Sequence, residues 1–316
     1  MFRLIGILGI FSLCCLAENH RLREETSQAT WDSGWLIPAV YRGYVYWAGG
    51  RDGDERVVNV YGPDGNLDLL FVQDEGDVRN IAFDTDGTVA VSWWDMNKKT
   101  GGIDFRDTYG QVTKTIATGR YLPCHLVFGE DHSLWTFGNQ VDSRSYEDKQ
   151  DYMTVRKYSP DGQETGAYLP RSLFPGELPA ATETWQWHSV FLAKDRIGIW
   201  AMSGSDGAKT EWVELDLNGK LLSRKRLDEF KGDMAIALTR DARLYIQHHS
   251  GNPHQRKLYV LDRDSSTWRL IDDPPAGYLI GADDNTLEFE DATGPVHLSW
   301  YEPPAPTEKA AAVLLK

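Results

Sequence analysis

RNIAFDTDGTVAV, residues 79–91, holds two runs of alternating apolar side chains joined by the turn Asp84-Thr85-Asp86-Gly87. Ile81, Phe83, Val89 and Val91 fall on alternate positions, so each run offers one apolar face, as a half-buried β-strand does. Asp-Gly suits the reversal, because glycine reaches positive φ without a Cβ clash and Asp can bond its own backbone. Two strands alone are marginal in water, so the hairpin needs neighbours.

The chain supplies them. Variants of the hairpin recur as AVYRGYVYW (39–47), HLVFGEDHSLWTF (125–137), HSVFLAKDRIGIW (188–200), AIALTRDARLYI (235–246) and LIGADDNTLEF (279–289). Aligned on the turn, Gly43, Gly87, His132, Asp195, Ala242 and Asn285 lie 44, 45, 63, 47 and 43 residues apart. A second hairpin series is interleaved with the first, marked by Gly65, Gly110, Gly162, Gly219 and Ser265 at gaps of 45, 52, 57 and 46. Two hairpins per period make a four-stranded unit of about 45 residues, the sequence signature of a β-propeller blade. A single blade cannot bury both faces, whereas a closed ring can. The expected fold is all-β, a six-bladed β-propeller of four-stranded antiparallel blades.

The ends of the chain shape the last blade. After the hairpin that ends near Phe289 only one more strand-like run remains (296–301), and Pro303-Pro304-Ala305-Pro306 forbids continuation. Part of 24–35 is therefore expected to supply the missing outer strand, so that the N-terminal segment closes the ring and removes exposed sheet edges. Residues 1–17 read as a secretory signal peptide, with Arg3, an apolar run from Leu4 to Leu13, and small residues up to a cleavage site after Ala17. The run is too short for a membrane span, which needs about 20 residues. The expected organisation is a signal at 1–17, the propeller at 18–302 and a mobile tail at 303–316, in a secreted or periplasmic protein. Without the signal, Cys124 is the only cysteine, so no internal disulfide supports the fold.

Net charge of −14 argues against nucleic acid or an anionic membrane surface as partner. Several of the 12 tryptophans sit inside strand runs (Trp47, Trp135, Trp200, Trp212, Trp300) and are expected to pack between blades. The 63-residue gap carries an excess of about 18 residues, shared between 138–151 and 169–184. Long loops inside a compact ring are places where function collects.

The pattern of alternating residues, Asp-Gly, then Leu/Val-x-Val/Trp resembles six-bladed propellers of the NHL-repeat and TolB-like kind. Pro123-Cys124-His125-Leu126-Val127-Phe128, followed by Asp131 and Leu134-Trp135, is most similar to an NHL unit. The resemblance covers nearly the whole mature chain and implies fold, which does not fix function. Enzymes with similar propellers include the gluconolactonase/regucalcin family, strictosidine-synthase-like proteins and virginiamycin B lyase. Resemblance to the first would imply a metal held by Glu, Asn and Asp at the inner strands. That complete set cannot be placed here, so no catalytic residue is carried over.

The topology still locates a candidate site. Both hairpin turns of a blade lie on one face of the disc, and the starts of the inner strands lie on the other. Asn80, His125, His188, Ala235 and Tyr278 are the expected starts, ringing the mouth of a central channel. Two histidines and an Asn there have the donor types for a divalent metal or for acid–base work near neutral pH. Trp94 and Asp95 (after Trp93), Asn139 and His248 (beside His249) follow on the same face. An aromatic pair beside carboxylates suits a glycan or peptide, and adjacent His248 and His249 should point to opposite sides. Nucleophile elbows, zinc-protease motifs, phosphate loops and paired-Cys spacings are missing from the sequence. The reading that follows is a ligand- or protein-binding and scaffolding module, a monomer with a small-molecule, glycan or protein partner and no cofactor. The alternative is a gluconolactonase-like hydrolase or lyase using the channel mouth, with a divalent metal.

Overall fold

The computed structural model describes residues 21–26, 39–41, 44–48, 56–61, 67–142, 148, 150–174, 189–203, 209–230, 234–249, 256–291 and 297–303. They form four-stranded antiparallel sheets, numbered here in chain order. Sheet 1 runs Ala39–Tyr41, Tyr44–Ala48, Val57–Tyr61, Leu67–Val72, and sheet 2 Asp77–Phe83, Val89–Asp95, Thr100–Arg106, Val112–Gly119. Sheet 3 runs Tyr121–Phe128, Leu134–Gln140, Met153–Tyr158, Glu164–Pro170, and sheet 4 Ser189–Leu192, Arg196–Ser203, Lys209–Asp216, Leu221–Arg226. Sheet 5 runs Met234–Leu238, Leu244–His249, Arg256–Asp262, Thr267–Ile271. Sheet 6 runs Tyr278–Asp283, Thr286–Asp291, His297–Tyr301, and its fourth place is taken by Arg21–Thr26, paired from Thr26↔His297 to Arg21↔Tyr301. That strand lies earlier than the expected 24–35, of which 27–35 falls outside the described residues.

Each first strand touches the first strands of its neighbours, and Ala39–Tyr41 touches both Asp77–Phe83 and Tyr278–Asp283. The fourth strands of sheets 2 to 5 are the most exposed. Tyr121–Phe128 is buried along nearly its whole length, whereas Val112–Gly119 and Leu221–Arg226 are largely exposed. Lys114, Arg224 and Lys225 on those outer strands protect the sheet edges. Among the described residues the helical structure is one 3₁₀ turn, Arg171–Leu173. None of their helices is long and apolar enough to cross a membrane.

The drift of the turn glycine has a backbone explanation. The first hairpins of sheets 2, 3 and 5 share one turn, closed by Gly87 N–H to Asp84 O, His132 N–H to Gly129 O and Ala242 N–H to Thr239 O. The last turn residue is left-handed in each, with φ of 91°, 59° and 66° at Gly87, His132 and Ala242. Glycine takes that conformation freely and the other two bear a strain. The second series behaves alike, with positive φ at Gly110, Gly162 and Gly219, and at Ser266 rather than Ser265.

The core lies between sheets. Sheets 1 and 2 meet through Val58, Val60 and Phe71 against Ile81 and Val91. Sheets 2 and 3 meet through Ile103 and Phe105 against Phe128 and Leu134. Trp135 and Phe137 of sheet 3 pack on Ile197 and Ile199 of sheet 4. Trp200 and Trp212 of sheet 4 pack on Leu238 and Leu244 of sheet 5, and Tyr245 and Leu258 of sheet 5 on Leu287 and Phe289 of sheet 6. Trp135 and Trp212 are fully buried, and truncating such a side chain costs about 3–5 kcal/mol. Trp47 lies in a strand whose side chains are outside the described residues.

One seam also holds a buried charge. Glu214 of sheet 4, 1% exposed, accepts hydrogen bonds from Trp212 Nε1 (2.9 Å), Ser223 Oγ (3.0 Å) and Arg196 Nη1 (3.0 Å). Arg263 of sheet 5 reaches both its oxygens, at 2.7 and 2.9 Å, and also donates to Ala242 O. Burial alone would raise this carboxyl. The bonds from Arg263, Trp212 and Arg196 outweigh it and hold it below the ordinary value.

Candidate functional site

The first strands converge on a cavity of about 400 Å³ at the turn face. Its lining is mixed, with the apolar residues Ile81, Leu126, Val190 and Leu238, the aromatic residues Phe83, Phe128 and Phe191, and nearly as much polar as apolar surface. The volume falls in the range of small-molecule pockets. Among the described residues that line it, the charged ones are Asp84, Glu130, Arg240 and Asp284, all from first-hairpin turns.

These turns are tied to one another. Arg240 of sheet 5 donates its backbone N–H to Asp284 O (2.6 Å) and accepts from Lys194 N–H (2.9 Å), while Asp241 N–H bonds Asn285 Oδ1 (3.0 Å). Its guanidinium reaches Asp284 Oδ1 at 3.1 Å on sheet 6 and Glu130 Oε1 at 2.7 Å on sheet 3. One cation thus bridges two carboxylates at the mouth, and its own pKa is raised by Asp284 and then Glu130. All three side chains are half-exposed or more, at 51, 50 and 70% for Arg240, Glu130 and Asp284. Pairs so wet are held loosely.

The turns of sheets 2 and 3 meet through a second pair. Asp84, 3% exposed, accepts from Thr85 N–H at 2.6 Å through one oxygen and faces His132 Nδ1 at 2.8 Å through the other. The hydrogen bond and charge of Asp84 raise the His132 pKa. Asp84, Asp86 and His132 each offer one ligand atom, all within 4.8 Å of one another. That set has the donors of a divalent-cation site if Nδ1 gives up its proton.

The described residues picked out on the opposite face take separate partners. Asn80 Oδ1 accepts from the Leu126 backbone N–H at 3.0 Å and so ties sheet 2 to sheet 3. His125 is 8% exposed, and by alternation it shares the side of Val127, which packs on the seam with sheet 4. His188 lies outside the described residues. Trp94 is no exposed aromatic platform. Both it and Trp93 are buried, Trp94 among Leu122, Cys124 and Val141. Asn139 is fully buried, and Asp95 accepts from Asn97 and Lys98 N–H as a turn residue. Alternation does separate the adjacent histidines. The His248 ring meets Phe230, and that of His249 lies 5.3 Å from Tyr278. Tyr278, 39% exposed, also carries Arg256 over its ring at 3.5 Å. His249 and Arg256, not His248, are therefore the neighbours of Tyr278.

The sequence signal missed Glu130, Arg240 and Asp284. Each directly precedes or follows an aligned turn residue by one or two positions, and the convergence of successive turns was legible in the 45-residue spacing.

No family model matches the chain, and no curated protein matches it. Solved structures do. A gluconolactonase from Xanthomonas campestris is 15% identical over 88% of each chain, with a TM-score of 0.51. A chain of the mitotic checkpoint complex is 11% identical over 96% of this chain and 98% of that one, also at 0.51. A protein of unknown function from Bacteroides caccae is 12% identical over 74% of this chain and 78% of that one, at 0.47. At these identities the likeness is one of fold alone. The two likenesses at 0.51, together with the four-stranded antiparallel sheets, support a β-propeller fold.

Proposed function

We propose that this chain is a recognition module: an exported six-bladed β-propeller that binds a small molecule, or the end of a glycan or peptide, in its axial cavity. The observation that carries the reading is the cavity of about 400 Å³, with apolar residues in its lining and charged turn residues at its mouth, set where first strands converge. Six four-stranded sheets whose first strands touch in a ring support six blades. Pairing of Arg21–Thr26 with His297–Tyr301 supports closure of the last blade by the N-terminal segment. Export rests on the sequence of 1–17, which gives a propeller from 18 to 302 and a tail from 303 to 316. Placing the site on the turn face is favoured by the cavity there, while on the start face Asn80 bonds a neighbouring backbone amide and Asp95 caps its own turn.

The test is a thermal-shift screen of small polar, apolar and sugar-derived compounds, with hits followed by calorimetry. Gly281 lines the cavity, and a Cβ there meets nothing nearer than 3.7 Å, so Gly281→Leu fills space without a backbone clash. A hit that binds the natural chain and is lost in Gly281→Leu, at unchanged melting temperature, supports the reading. Hits that bind both chains equally, or a library with none, overturn it. Turnover of a bound lactone or ester would replace recognition by hydrolysis.

A further inference from the structure

The chemistry of the cavity mouth narrows the ligand class, and the narrowing rests on the recognition reading above. Glu130 and Asp284 come from turns of sheets 3 and 6, and between them stands one guanidinium, that of Arg240. Asp84 adds a buried carboxylate to the same lining. Below the mouth the lining includes the apolar residues Ile81, Leu126, Val190 and Leu238. An anionic ligand would meet carboxylates already in excess of their cation. A neutral ligand would gain the apolar wall and leave the rim charges as they are. A cation on an apolar body gains both, with Coulomb attraction at the rim and apolar contact beneath it.

We propose that the cavity takes a small organic cation, an amine or guanidinium on an apolar body, and that Arg240 stands in for its head group while the site is empty of ligand. Arg240 is half-exposed on a long side chain and is held by two exposed carboxylates rather than by packing, so its head can swing to solvent. The incoming cation then inherits Glu130 and Asp284, and its apolar part lies against the apolar residues of the lining. Arg240 is thus a competitor that sets affinity and excludes ligands unable to pair with the two acids.

Three probes of matched shape test this on the purified chain by calorimetry: 2-phenylethylammonium, 2-phenylethanol and 3-phenylpropanoate. The cation is expected to bind severalfold more tightly than the alcohol, up to about fivefold for one exposed ion pair, and the carboxylate most weakly. Glu130→Gln with Asp284→Asn should erase the preference for the cation. Arg240→Gln should tighten the cation severalfold and leave the alcohol unchanged. Circular dichroism of each variant establishes that it is folded. If the alcohol or carboxylate binds as tightly as the cation, or the preference survives loss of both acids, the inference fails while the cavity remains a binding site. If none of the probes binds, this inference fails, and the recognition reading is decided separately by the thermal-shift screen with Gly281→Leu.

Discussion

Two arginine–carboxylate groups in this molecule use the same atoms for opposite ends. Glu214 sits in the seam between sheets 4 and 5, 1% exposed, with two arginines, a tryptophan and a serine on its oxygens. Glu130 and Asp284 sit at the cavity mouth, 50 and 70% exposed, sharing Arg240. The pairing distances are alike, at 2.7–3.1 Å. Burial separates them. A charge removed from water must keep its partners, whereas a charge left in water can exchange them at little cost. The seam pair is fixed by burial, and the mouth pair is free to exchange partners with solvent.

The sharpest way to break this contrast is to delete the seam carboxylate. Glu214→Ala should destabilise the chain by about 3 kcal/mol, the lower end for a broken buried pair, because both arginines still reach solvent. The loss also leaves Trp212 Nε1 without its acceptor. Chemical denaturation measures the change, and a loss below about 1 kcal/mol would put Glu214 in the same class as the mouth residues. The sign with pH follows from its depressed pKa. Its contribution is present above the unfolded value near 4.3 and fades as pH falls through the lower folded one.

A smaller effect is expected at the start face, where Asn80 links two sheets through one hydrogen bond to Leu126 N–H. Asn80→Ala leaves that donor without its side-chain acceptor, at about 1–2 kcal/mol. Asn80→Asp keeps an oxygen at the site and should recover most of the loss. If Asn80→Ala instead left stability intact and abolished binding of a ligand, the site would belong on the start face after all.

The sequence made the scaffold legible because a repeating fold repeats its physics. Alternation found the strands, and three of the aligned turn positions, Gly87, His132 and Ala242, are the left-handed residues themselves. The seam tryptophans were legible for the same reason. The site was less so. A start-of-strand position fixes which face a backbone atom is near, but not whether its side chain turns inward, into a seam or onto a neighbouring amide. Asn80, His125 and Trp94 each met one of the latter fates. Arg240, Glu130 and Asp284 are ordinary turn charges in sequence, and only the closing of distant turns upon one another makes them a rim.

The smallest expected effect lies between the two extremes, at His132. It is half-exposed, yet it faces Asp84, which is 3% exposed, and it also feels Asp86 and Asp131. The folded pKa is raised, so the protonated ring stabilises the native state fully below the unfolded value near 6.5. That contribution is lost as pH rises through the higher folded value. Melting temperature should therefore slope downward from about pH 6.5 into the mild alkaline range, by a small amount that added salt reduces. His132→Gln keeps a side-chain donor for Asp84 and should flatten that slope without lowering stability at the alkaline end. An unchanged slope in the variant would mean that the Asp84–His132 contact carries no charge, and that the turns of sheets 2 and 3 are held by their backbone bonds and apolar seam alone.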